Sequence, residues 1–137
     1  MGRESLRLFK ELAVQMLVAE TITQVSMHAD QIQRGETSAA LSVVTSIVKQ
    51  INTEAYPHLI KAWDIIAGLL TVLYESPSES VYETTREWVE KKITRLNAFV
   101  DQVVEVGESS GTQSLTNELT RPIRQSISTA TQYWELK

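Results

Sequence analysis

Imidazole chemistry in this chain, whether proton transfer or metal ligation, would rest on two side chains, His28 and His58. They fall on different predicted helices. Glu54 and His58 stand four residues apart, a spacing that puts two ligands on one helix face, but Pro57 intrudes and no third ligand accompanies the pair. The Glu-x-x-His pairs of di-iron bundles and the His-Glu-x-x-His of zinc proteases do not occur. The five glycines are scattered rather than gathered into a phosphate-cradling loop. No serine is expected to act as the nucleophile of a Gly-x-Ser-x-Gly elbow, and no lysine or threonine has a recognisable activating base. The expectation is a protein that is not an enzyme, with no catalytic residue, no metal site and no cofactor.

Two surface patterns come nearer to function. Glu79, Glu83, Glu87 and Glu90 form an acidic strip on one predicted helix, and with Arg86 and Lys91 close by it reads as an ordinary solvated face. On the same helix Trp88, Lys92, Arg95 and Phe99 follow at spacings of 4, 3 and 4, so that aromatic and basic groups share one flank. Such a strip can stack bases and hold phosphates, as single-strand nucleic-acid binders do, or contact a phosphorylated partner. The simpler account has Trp88 and Phe99 widening the core face while the stems of Lys92 and Arg95 lie over its rim.

Composition narrows the classes further. A net charge of −4 argues against a dedicated polyanion binder, because counterion release requires many clustered cations. The 137 residues make one domain, able to remove roughly 70% of the unfolded chain's surface from water. Cysteine is absent, which excludes disulfides, thiolate zinc sites and cysteine nucleophiles and fits a cytoplasmic setting. The early apolar run "LAVQMLVA" is short and contains Gln15, and Leu6 stands where a myristoylation motif needs Ser or Thr. In the most apolar stretch, "LIKAWDIIAGLLTVLY", only the ten residues from Ile65 to Tyr74 run without a charge, whereas a membrane span needs about 20. A membrane partner is not expected.

What must position these side chains is helical almost throughout, with no period-two strand. A first helix is predicted from Ser5 to Arg34, stopped by Gly35. A second follows "GETS" with Ala40, Val44, Ile47 and Ile51 on its apolar face and ends before Pro57. The apolar stretch Leu59 to Tyr74 is the third. A fourth starts at "SPSE", where Ser76, Pro77 and Glu79 suit a capping box, and stops at Gly107. Residues 107–119 read as a loop, and a last helix starts at Thr120 with Pro122 in its first turn and Ile123, Ile127, Ala130 and Trp134 facing inward. The predicted fold class is all-α: an antiparallel bundle of four or five helices forming a single domain over residues 1–137.

Two mismatches point to assembly. On the third helix Lys61, Asp64, Gly68 and Thr71 make one narrow polar or small stripe, with Lys61 and Asp64 as an i,i+3 pair, and nearly everything else is apolar. That helix should lie at the centre of something, and Gly68 and Thr71 would admit a close neighbour. On the first helix Phe9, Leu12, Met16 and Leu17 share a face in the first half, whereas Val14, Val18, Ile22 and Val25 define the opposite face in the second. Either the helix breaks near residues 14–18 or it leaves one partner and joins another. The functional expectation is a non-enzymatic helical assembly module, self-associating or part of a larger complex, with Phe9, Leu12, Met16, Leu17, Gly68 and Thr71 at a homo-oligomer interface and a two-fold dimer as default. The alternative is a nucleic-acid-contacting accessory subunit using Trp88, Lys92, Arg95 and Phe99.

Overall fold

The structure, a computed structural model, describes residues 3–54 and 59–136, with side chains described over 7–51 and 59–136. Pro57, His58 and the side chain of Glu54 lie outside the described residues. Six α-helices are present among them: α1 (Arg3–Ser26), α2 (Ala29–Gln33), α3 (Ser38–Glu54), α4 (Ile60–Glu75), α5 (Val81–Ser110) and α6 (Gln113–Tyr133). No strand accompanies them in the described residues, so the all-α bundle is the fold.

The central helix is α1, not α4 as the apolar arc of α4 suggests. It touches α3, α4, α5 and α6. That encirclement explains why its apolar stripe changes sides: Leu8 and Leu12 are buried at one end, and Val14, Val18, Ile22 and Val25 are buried along the rest. The helix runs unbroken through residues 14–18 and yields instead at Met27 and His28. Just before that break the Ser26 hydroxyl donates back to the Ile22 carbonyl at 2.6 Å, a local bond that bends helices. The short α2 then ends at Gly35, where Glu36 and Gly35 donate to the Gln31 and Ile32 carbonyls, both at 2.9 Å, in a Schellman turn.

On α4, Ala62, Ile66, Leu69 and Leu73 face the core, while Ile60 and Tyr74 are exposed. Lys61 does not pair with Asp64; its ammonium reaches Glu11 of α1 at 3.1 Å. The capping box at "SPSE" does not form either. Ser76 ends α4 in an extended conformation, Ser80 and Val81 donate to the Pro77 carbonyl, and α5 starts at Val81 without a side-chain cap.

The largest difference lies at residues 107–119, which are not a loop. Helix α5 continues to Ser110, and only Gly111 and Thr112 separate it from α6. Gly107 is buried inside α5 because α6 crosses close to it: a Cβ there would stand 2.2 Å from Thr116 Oγ1. The stop signal is Gly111, whose φ of +72° lets Thr112 donate to the Gly107 carbonyl at 2.8 Å. Pro122 accordingly falls inside α6. A proline there removes the N–H that would donate to the Glu118 carbonyl; beside it the Arg124 guanidinium donates to the Asn117 carbonyl at 2.6 Å, and the Arg121 and Glu118 side chains pair.

Helices α1 and α6 run parallel, with Leu8 and Phe9 beside Leu115 at one end and the Thr23 hydroxyl bonded to Ser126 at 2.8 Å further along. Beyond α6 the chain is clasped. Trp134 is fully buried, its indole donates to Ser26 Oγ at 2.9 Å, and its ring lies 5.3 Å from that of Tyr82. Arg86 of α5 donates to the Trp134 and Glu135 carbonyls at 2.8 and 3.0 Å, covering the turn in which Glu135 takes φ +53°.

Candidate functional site

The aromatic and basic strip on α5 is largely absorbed by the fold. Phe99 is 6% exposed and belongs to the core. Trp88 is half-buried, with its indole nitrogen 3.7 Å from where a Cβ on Gly68 would stand and the Lys92 ammonium 5.5 Å from its ring centre. Gly68 of α4 thus admits Trp88 of its own chain, and Lys92 lies along the same ring. Burial lowers the Lys92 pKa, with Arg95 and Lys91 adding repulsion. Arg95 alone of the four stands out in solvent. The strip therefore lacks two open aromatic faces for bases to stack on. The acidic strip is exposed at Glu79, Glu83, Glu87 and Glu90, and Arg86 turns from it to the carbonyls after α6.

The residues expected at an oligomer interface are divided. Leu12, 6% exposed, packs inside the chain and reaches the surface only as a wall of a groove. Leu17 is half-buried between α1 and its neighbours. Thr71 is exposed but turns its hydroxyl back to the Ala67 carbonyl. Phe9 and Met16, by contrast, are 65% and 40% exposed. They do not share a groove with Gly68 and Thr71; both open toward α6.

Phe9 stands at the rim of an apolar groove of about 260 Å³ between α1, α5 and α6, walled by Leu8, Leu12, Val103, Val106 and Leu119. Across it is Leu115, 56% exposed, which the expected loop had hidden. A second depression of about 460 Å³ continues along the same pair of helices past Met16, Glu20, Pro122, Gln125 and Thr129. Residues 9, 16 and 23 on α1 and 115, 122 and 129 on α6 recur every seven positions, so each set lies along one line of its helix.

The two outer faces differ in charge. Along α5 the exposed positions include Glu83, Glu87, Glu90, Lys91, Asp101, Glu105 and Glu108. Along α6 the exposed charges are Glu118, Arg121 and Arg124, each engaged with a neighbour on its own helix, and no charged residue occurs from Gln125 through Trp134. A charge-poor face with projecting apolar groups has the composition of an interface core.

Chain comparisons add no relative. The chain matches no family model, and no curated protein or solved structure is significantly similar to it. The site must therefore be judged on its own geometry.

That geometry contains no assembled metal centre: among the described residues no three His, Asp or Glu side chains come together. No helix there is long and apolar enough to cross a membrane. One string does match Gly-x-Ser-x-Gly: Gly107 to Gly111, with Ser109 at its centre. It forms the last turn of α5 and its cap, not a turn from strand to helix, and His28 sits at the other end of α1.

Proposed function

We propose that the chain is a non-enzymatic helical assembly module that works in the cytoplasm and associates with a second copy of itself through the α1/α6 face. The observation that carries this reading is the exposed pair Phe9 and Leu115 around an apolar groove, at the head of a charge-poor helix face. Projection and hollow lie side by side on one surface. A two-fold axis through that surface would bring Phe9 of each copy to the groove of the other, so the contact closes as a dimer rather than growing into a filament.

The dimensions suit the proposal. Helix α6 has 21 residues, and a face of that length and two helices wide covers on the order of 600 Å², near the ~800 Å² per partner of a stable interface. Burying a Phe side chain contributes ~1.5–3 kcal/mol before association costs, and a symmetric dimer does so twice.

The native chain has no cysteine, which gives a clean test. Gln125→Cys, on the α1/α6 face, should react with a maleimide more slowly as protein concentration rises. Glu90→Cys, on the outer face of α5, should react at one rate throughout. Equal, concentration-independent labelling at both positions would remove the reading.

A further inference from the structure

A third depression, distinct from the α1/α6 face, opens between α1, α4 and α5 with a volume of about 430 Å³. Three helices bring three cations to it: Arg7 from α1, Lys61 from α4 and Arg95 from α5. Among the described residues Glu11 is the one carboxylate in its lining, and its Oε1 already accepts from Lys61 at 3.1 Å and from the Gln15 amide at 2.9 Å. Among the described residues the lining thus holds more cations than carboxylates, on a chain of net charge −4. On the preceding turn of α5 burial lowers the pKa of Lys92, with Arg95 and Lys91 adding repulsion.

The floor is chemically different from the rim. Leu8, Ala98 and Phe99 supply the apolar part of the lining; Ala98 is exposed, Leu8 and Phe99 are buried, and Phe99 offers no open ring for a base to stack on. The volume falls in the range of small-molecule sites. Guanidinium groups favour phosphate and carboxylate oxygens over other anions because their donors match both oxygens at once.

We infer that the depression between α1, α4 and α5 binds a small organic phosphate, with its phosphate on Arg95 and Lys61 and its apolar body over Leu8 and Phe99. The site shares Leu8 with the wall of the α1/α6 groove but none of its charged residues, so its occupancy, read at Lys61 and Arg95, and the self-association are measured separately. Phosphate oxygens would replace Glu11 as acceptors for Lys61 and supply the acceptor that Arg95 lacks among the described residues.

The probe is phenyl phosphate, titrated into the full chain at low ionic strength and followed by amide chemical shifts. Shifts should concentrate around Glu11, Lys61 and Arg95. Inorganic phosphate should bind several-fold more weakly, and phenol should not bind. Arg95→Gln should weaken phenyl phosphate about tenfold, as expected for one charge-assisted contact, and Lys91→Gln on the exposed face of the same helix should not. The inference is overturned by absence of saturable shifts, by equal losses in Arg95→Gln and Lys91→Gln, or by shifts centred elsewhere. Tighter binding of a phosphate-rich single strand that tracks Lys91 and Arg95 alike would also overturn it, since that is diffuse electrostatic attraction rather than a site.

Discussion

Gly107→Ala should destabilise the protein, although alanine is the better helix former. Propensity alone would favour alanine by up to ~1 kcal/mol in a helix interior. Against this, the new Cβ would lie 2.2 Å from Thr116 Oγ1 and 2.8 Å from its Cγ2, so α5 and α6 must separate or Thr116 must leave its rotamer. Overpacking of a well-filled contact costs ~1–3 kcal/mol, which after the full propensity gain leaves a net loss of up to ~2 kcal/mol and a fall in Tm of up to roughly 6 °C for a chain of this size. Thr116→Ala in the same chain removes both close atoms and leaves Cβ at 3.0 Å. The double variant should therefore be more stable than the two single losses predict, with a coupling of ~1 kcal/mol or more. Gly111→Ala gives the contrast: its φ is +72° with nothing within 4 Å, so it should lose ~1–2 kcal/mol from backbone strain alone and show no coupling to Thr116. Urea unfolding of the five chains measures all of this. A rise in stability for Gly107→Ala, or additivity with Thr116→Ala, would refute the close crossing and restore residues 107–119 as a loose connection.

Ser26→Ala should lose ~1–3 kcal/mol in urea unfolding, because it leaves the buried indole nitrogen of Trp134 without its acceptor. Leu12→Asp should unfold the chain, whereas Phe9→Asp should keep native circular dichroism, since the first side chain is 6% exposed and the second 65%. Burial raises the Tyr82 pKa above 10.0, with Arg86 opposing and Glu135, Glu83 and Asp30 adding to the rise. The folded state then holds that proton more tightly than the unfolded state, so the contribution is complete below pH 10 and is lost as pH rises through the raised value. Tyr82→Phe should remove this alkaline loss, seen as a flatter dependence of unfolding free energy on pH above 10.

The all-α fold was legible because its core helices carry plain apolar periodicity: Ala40, Val44 and Ile51 on α3 and Val89, Ile93, Leu96, Val100 and Val103 on α5 are buried as their spacing implies. The start of α6 was not, for a physical reason. Its inward positions Thr116, Thr120 and Ser126 are polar letters that behave as core residues, since Thr116 and Thr120 donate to carbonyls of their own helix and Ser126 takes the Thr23 hydroxyl. With those positions discounted and Pro122 taken as a start signal, the first third of α6 looks like a loop. Recovering the spacing Leu115, Leu119, Ile123, Ile127 would have exposed it. Gly107 misled similarly, because a glycine demanded by a close crossing and one demanded by a left-handed turn look alike in a sequence. The candidate interface was half legible. Phe9 and Met16 stand out in the structure, but Leu12 fills the core, and Leu115 on the α6 side of the face lies in the first turns of α6, which read as a loop.

Self-association is tested most directly by sedimentation equilibrium of the wild type beside Phe9→Asp, from low to high micromolar concentration. The proposed dimer predicts that the wild-type molar mass rises from 15.4 kDa toward twice that value. A folded Phe9→Asp should stay at monomer mass across a range at least ~100-fold above the wild-type midpoint, because two Phe side chains lose their burial together. A wild type that remains monomeric at high micromolar concentration, or a Phe9→Asp variant that associates as the wild type does, would contradict it.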